Sequence, residues 1–394
     1  MQGIYVIMVC IFTAMLGLGI ISPIMPLYAS SLGATFAEIG LLSSAWSISR
    51  LLFTPFIGRV SDTTSRKKII AAGLFMYAVV SVLYSVAWDF VSLVGMRFLH
   101  GLGSALATPV AMAYAAEITP RGKEGRYMGM MNLAMFGGMG CGPLVGGYLT
   151  DMFSLHMPFY LMGGLTAFSL LLTLVFLPDD RSDRLISRRL RPSYTNILSN
   201  RALAAVFIYR GINAIGYGTM FGFLSIFISG SPEQGALGLP LSVAGLILSL
   251  GQLTSAFLQR PFGDLADRYS KVRLIILGAA ISAIGYLILP STTEGLGVGA
   301  ANMLFSLGGA LSMPAITAIV AMEGKELGIG TTMSVLETAN SAGMIVGPLI
   351  SGIIIDLYGL RLIFYAGTII ILAGTLAFYF IIRKVLVRVE SSIT

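Results

Sequence analysis

Apolar residues in this chain form long runs separated by short polar gaps. They show neither the alternation of a strand nor the one-sided stripe of a soluble helix. A helix needs about 20 mostly apolar residues to cross the hydrocarbon core of a bilayer. Twelve runs meet that length: 4–30, 37–59, 69–88, 90–117, 127–150, 156–178, 202–229, 240–260, 273–290, 295–322, 328–355 and 361–382. The pattern predicts an all-α integral membrane protein with twelve spans. The first run begins almost at Met1, exceeds a signal-peptide core in length and has no basic segment before it, so it is read as a retained span.

The longest polar stretch, 179–201, divides the runs six and six. This predicts an N-terminal bundle over 1–178, a cytoplasmic linker over 179–201, and a C-terminal bundle with a short cytoplasmic tail over 202–394. The halves match at one offset of 205 without a gap. Gly58 falls on Gly263, Asp62 on Asp267, Gly103 on Gly308, Pro109 on Pro314, Gly142-Pro143 on Gly347-Pro348, Asp151 on Asp356, and Phe159-Tyr160 on Phe364-Tyr365. Two parallel six-helix repeats are the build of a rocking transporter, with its substrate site between the repeats near mid-membrane. A channel would need a filter-like loop or an acidic ring, and neither is present in the sequence.

Charge sets the orientation. Of the 25 Lys and Arg, all but Arg50, Arg97, Arg210 and Arg361 fall in gaps on one side or in the linker and tail. Cytoplasmic loops carry that excess, so both termini are expected in the cytoplasm of a cell-membrane protein. The net charge of +7 therefore reflects orienting loops, and no nucleic-acid partner is expected. Composition agrees: 56% hydrophobic and 11% charged, against about 25% charged in soluble domains. Cys10 and Cys141 both lie in apolar runs, which excludes a disulfide scaffold and a Cys-based zinc site. No phosphate-binding GxxxxGK[ST], HExxH or GxSxG motif occurs. The chain is therefore read as a non-enzyme with no cofactor, a proton being the expected coupling ion. The expected partners are the bilayer and a small-molecule substrate, and the expected state is a monomer.

Three motifs carry a family resemblance. The first cytoplasmic gap reads Gly58-Arg59-Val60-Ser61-Asp62-Thr63-Thr64-Ser65-Arg66-Lys67, with a degenerate copy from Gly263 to Asp267-Arg268. It is similar to the GxLaDrxGRk loop of the major facilitator superfamily, with Thr63 and Ser65 in place of the usual Arg and Gly. A carboxylate there can accept from a neighbouring helix N-terminus or an Arg in one of two packings. Span four carries Arg97-Phe98-Leu99-His100-Gly101-Leu102-Gly103. It resembles the family's RxxxGxg, whose Arg is linked to proton transfer, and Arg97 and His100 share a helix face. Span five contains Gly138, Gly142-Pro143 and Gly146-Gly147. These fit GxxxGPxxGG, the mark of the exporters and above all of the twelve-helix drug/proton antiporters. Physically this is a bare helix face that admits another backbone, plus a bend, which implies a hinge or packing role echoed at Gly347-Pro348.

Charges inside spans are costly and face a cavity or a partner. Trp46 and Arg50 in span two, Arg210, Asn213 and Tyr217 in span seven, Gln252 in span eight, and Glu337 and Asn340 in span eleven form polar stripes at helical spacing. They are the candidate substrate cavity. Glu337 is the one deep acid and, with Arg97, the candidate for proton coupling. A carboxyl that alternates between an apolar setting and an arginine changes its proton affinity, as antiport requires. Many relatives carry an acid on span one or seven; this chain has Arg210 on seven and no acid on either. Three Arg against one Glu favour an anionic or zwitterionic substrate. The expected function is proton-coupled export of small amphipathic molecules by alternating access. An organic-anion or metabolite transporter using Arg50, Arg97 and Arg210 is the alternative, and a non-transporting sensor or scaffold a lesser one.

Overall fold

The computed structural model describes residues 2–118, 124–178, 194–327 and 329–391, and all regular structure among them is helical. The helices are α1 (Gln2–Ile21), α2 (Ile24–Ser31), α3 (Phe36–Thr63), α4 (Arg66–Tyr84), α5 (Phe90–Ile118), α6 (Glu124–Met152), α7 (Met157–Phe176), α8 (Tyr194–Ser199), α9 (Arg201–Ser229), α10 (Leu241–Arg268), α11 (Lys271–Ile288), α12 (Gly295–Leu327), α13 (Ile329–Tyr358) and α14 (Leu362–Ser391). Twelve of these have 18 residues or more, one for each apolar run. Helices suit this setting because hydrocarbon offers no water to a backbone N–H or C=O, so each segment must satisfy its own.

Ten of the twelve contain a window apolar enough to cross a membrane by composition alone. The others are α3, which spends positions on Ser43, Ser44, Ser47, Ser49 and Arg50, and α6, which is rich in glycine. The first run is not one helix. It breaks at Ser22-Pro23, and α2 begins at Ile24, because proline has no N–H to continue the ladder. The gap between spans two and three is also shorter than the pattern implies. Helix α3 continues to Thr63 and α4 starts at Arg66, leaving only Thr64 and Ser65 between them.

The described residues group into two compact units. One joins α1–α7 to the second part of α9, from Phe221, and the first part of α10, through Leu253; the other holds α8, the rest of α9 and α10, and α11–α14. Division by packing thus cuts through two helices, whereas division by repeat follows the linker; most of that linker lies outside the described residues.

In the first unit, α1 is the central helix. Its Ile4, Ile7, Cys10, Ile11 and Met15 pack with Ile70 and Leu74 of α4, Val110 and Tyr114 of α5, and Met131 of α6. The Cys10 Sγ lies 3.0 Å from the Thr173 Oγ1 of α7. The Tyr28 hydroxyl of α2 donates to the Tyr84 carbonyl at 3.1 Å, closing the end of α4. In the second unit, Tyr286 of α11 meets Phe305 of α12 edge-on and packs at a tilt against Phe364 of α14, and its hydroxyl donates to the Gly216 carbonyl of α9. Lipid-facing side chains gain little by association, so contact in such a protein depends on close packing and interhelical hydrogen bonds.

That close packing recurs at the repeat offset. A Cβ on Gly73 of α4 would meet the Ala107 backbone of α5, and one on Gly278 of α11, 205 residues on, would meet the Gly308 carbonyl of α12. Helix α6 has two bare faces. Gly138, Gly142 and Gly146 lie against the backbone of α1 at Phe12, Gly19 and Ile20. Gly140 and Gly147 lie against Leu253 and the Leu241 carbonyl of α10. In α13 the counterparts Gly343 and Gly347 meet the Gly211 and Ile215 carbonyls of α9.

A branched side chain at Gly146 would have to displace the Ile20 carbonyl, so Gly146→Val is expected to cost about 1–3 kcal/mol through overpacking. Gly164→Ala on α7, where nothing lies within 4 Å of the added carbon, should leave stability at the parental level or slightly above it. Thermal unfolding of the two purified variants in detergent, read beside the parent protein, checks the contrast.

Candidate functional site

Mid-span polar groups gather in the first unit where α3, α4 and α5 meet. Arg97 and His100 of α5 are buried, with 4% and 0% exposure. Tyr77 and Tyr84 project from α4, two turns apart on one face, and enclose the imidazole. The Tyr77 and His100 rings meet edge-on with centroids 4.5 Å apart, and the Tyr84 hydroxyl shares a 3.1 Å hydrogen bond with His100 Nδ1. Gly101, the next residue, admits α3: a Cβ there would strike the Trp46 carbonyl and Ser49. One turn further along α3, the Arg50 guanidinium lies over the Trp46 ring, 4.7 Å from its centroid, a cation–π geometry. Trp46 and Arg50 are half-buried, and Arg97 is the deeper cation.

The cluster has hydrogen-bonding capacity to spare. Arg97 Nε and Nη1, His100 Nε2, the Tyr77 hydroxyl, Ser104 Oγ, Ser49 Oγ and Trp46 Nε1 are buried without a hydrogen-bond partner among the described residues. Unsatisfied buried groups are uncommon in native proteins and call for a reason. In this unit the carboxylates with described side chains are Glu38, Asp89, Asp151 and Glu233, all at helix ends or in connecting turns. None of them is placed to offset Arg97 at mid-span.

The second repeat serves as an internal control. At the offset of 205, Arg97 becomes Asn302, His100 becomes Phe305, Tyr77 becomes Ser282 and Tyr84 becomes Leu289. There α11 and α12 cross at the same glycines, but around an aromatic core of Tyr286 and Phe305. The helix crossing therefore does not require a cation, a histidine or two buried phenols.

Among the residues expected to line a cavity, Trp46, Arg50 and Arg97 come together as described. Arg210 and Tyr217 lie two turns apart on α9, and Tyr217 packs at a tilt against Phe305 with centroids 5.2 Å apart. Asn213 is buried. Arg210 and Asn340 flank the crossing of α9 and α13 at Gly211, where the Ala339 carbonyl lies 3.4 Å from the position of an added Cβ. Asn340 is half-buried and Glu337, almost one turn before it, is exposed on α13. Gln252 is half-buried on the part of α10 that belongs to the first unit.

In the gating loop, Arg66 is 8% exposed and its Nη1 donates to the Ala113 carbonyl of α5 at 3.1 Å, tying the start of α4 to α5. Lys67 is half-buried, and Gly58 and Gly263 face open space. The side chains of Asp62 and Asp267 lie outside the described residues. Pro143 and Pro348 both sit inside their helices beside the bare faces. Gly218 of α9 approaches Pro348, and Gly19 of α1 approaches Pro143.

Sequence reasoning missed the Tyr77–Tyr84 enclosure of His100. Comparing positions 97, 100, 77 and 84 with their counterparts at the offset would have exposed it.

The fold and these motifs have known relatives. The family model of the Major Facilitator Superfamily matches residues 7–232 and 211–392. An uncharacterised MFS-type transporter of Methanocaldococcus jannaschii is 30% identical over 364 residues, covering 91% of this chain and 92% of the relative. The quinolone resistance protein NorA of Staphylococcus aureus is 24% identical over 360 residues, covering 91% of each. Among solved structures, a bacterial homolog of the human lysosomal transporter Spinster superposes with a TM-score of 0.83 at 14% identity over 96% of both chains. The nucleoside transporter NupG does so with a TM-score of 0.77 at 15% identity, over 97% of this chain and 99% of the other. The chain belongs to the Major Facilitator Superfamily and is a multi-pass membrane transporter.

Proposed function

We propose that this transporter is a proton-coupled exporter of small amphipathic molecules. It works as a monomer by alternating access in the cell membrane, with its two repeats as the moving halves and both termini in the cytoplasm. The observation that carries this reading is the buried Arg97–His100–Tyr84–Tyr77 cluster, present in one repeat and replaced by Asn302, Phe305, Leu289 and Ser282 in the other. Exchanging a buried ion for well-packed apolar groups is often neutral or stabilising. Retaining one inside a membrane, where the sister repeat does without it, argues for a working role.

Two further observations support export and proton coupling. The GxxxGPxxGG helix has its glycines at backbone contact on two faces, and the similar sequences include one named for quinolone resistance. Glu337 stands on the stripe of α13 that also holds Ser341, Ile345, Gly352 and Asp356 by helical spacing. The corresponding stripe on α6 contains Gly140, Gly147 and Asp151, which meet α10. Glu337 is exposed on α13, and by repeat equivalence it continues the stripe that in α6 meets α10. It carries the proton, and Arg97 assists on the first repeat.

A second reading, transport of an organic anion, is favoured by one observation. The mid-span of the first unit holds Arg50 and Arg97 while its described carboxylates stand at helix ends. On that reading Arg50, stacked on Trp46 in the first unit, meets the anionic group.

Proteoliposomes with an imposed pH gradient, offered a cationic dye or an organic anion, separate the readings. Proton-driven accumulation of the dye that collapses with a protonophore is expected for the exporter. Accumulation of the anion alone, lost in Arg50→Gln, selects the second reading. Glu337→Gln should lower gradient-driven accumulation at least tenfold while leaving substrate exchange without a gradient. The double variant Arg97→Asn with His100→Phe, which copies the second repeat, should unfold at the parental temperature or above yet fail to transport. Parental transport by it would show that the cluster is structural.

A further inference from the structure

The start of a helix leaves four N–H groups without intrahelical partners. Helix α3 supplies its own cap: Glu38 N donates to Thr35 Oγ1 at 3.2 Å, and Thr35 N donates to Glu38 Oε2 at 2.8 Å. This is a capping box. Helix α10 is the counterpart of α3 in the second repeat, and at the offset of 205 Thr35 becomes Pro240 and Glu38 becomes Val243. Neither can cap.

The cap comes instead from α6. The Asp151 carboxylate accepts from Leu241 N at 3.3 Å and from Ser242 N at 2.7 Å. Two turns inward, Leu144 N of α6 donates to Ser249 Oγ of α10 at 2.9 Å. Between them the backbones touch, Gly147 against the Leu241 carbonyl and Gly245 against the Pro143 carbonyl. The α6–α10 seam therefore has a polar latch at one end, a hydrogen bond further in, and bare backbone between.

We propose that Asp151 is a positioning residue for the transport cycle. Its carboxylate latches the end of the α6–α10 seam that faces outward on the orientation proposed above, and opening that seam uncaps α10. This rests on the alternating-access reading. The reason is differential stabilisation. A ligand or a contact shifts an equilibrium only by acting unequally on its two states. A cap built into α10 would act equally whether the seam were open or closed. A cap borrowed from α6 acts only when it is closed. Loss of an N-cap corresponds to about a tenfold change in an equilibrium constant, so the latch weights the outer-closed state by about that factor.

The test uses the full-length protein with Cys10 and Cys141 replaced and a reporter from Ser242→Cys, which keeps the backbone N–H and stands at the seam. Labelling by a membrane-impermeant maleimide from the outer face is followed over time, beside thermal unfolding. Asp151→Ala is expected to label about tenfold faster, and Asp151→Glu to lie nearer the parent. Adding Pro240→Ser and Val243→Glu to Asp151→Ala gives α10 a local capping box. That variant should regain thermal stability yet still label fast. If the local cap restores slow labelling as well, or if Asp151→Ala labels at the parental rate, Asp151 is an ordinary cap and the proposal falls. Labelling needs neither substrate nor a pH gradient, so failure of proton-driven export in the proteoliposomes is read separately.

Discussion

Inside a membrane a polar group has no water to turn to, and that constraint organises this protein. Each backbone N–H or C=O must find a partner within the protein, which is why the described chain is helix after helix. The same scarcity gives weight to every exception. A buried arginine with idle nitrogens and an imidazole held between two phenols would be unremarkable on a wet surface. In hydrocarbon each has an energetic consequence large enough to suggest a use.

The second link is close approach. Lipid tails are as apolar as leucine, so helices gain little by hiding side chains from lipid and more by touching backbone to backbone. The glycines of α4 and α5 recur in α11 and α12, and those of α6 recur in α13. The duplicated chain keeps this contact geometry while changing the chemistry between contacts. It built one crossing around Arg97 and His100 and the other around Phe305 and Tyr286. The repeat thus distinguishes what the architecture needs from what was added to it.

Much of this was legible in the sequence, for definable reasons. Hydropathy marks spans because length and apolarity are properties of a single segment, and twelve runs gave twelve long helices. The offset of 205 survives in glycines and prolines because backbone contact tolerates no substitute. Trp46 and Arg50 meet because they are four apart on one helix. Properties that depend on two segments were harder to see. His100 reads as one polar residue in an apolar helix until Tyr77 and Tyr84 arrive from α4. Asp151 reads as the polar end of a span until the start of α10, 90 residues later, donates to it. The break at Pro23 was hidden for another reason: a hydropathy average does not register a missing N–H.

Helix α6 is bare on two nearly opposite sides, one against α1 and one against α10. Side chains that project freely from it, Leu144, Tyr148 and Met152 with the exposed Cys141, share a single outer arc. Little room is left on this helix for mutational novelty. If the range of molecules handled widens or narrows under selection, the responsible changes should accumulate on other helices, while α6 stays fixed as a bearing surface whose tolerance to wear is almost nil.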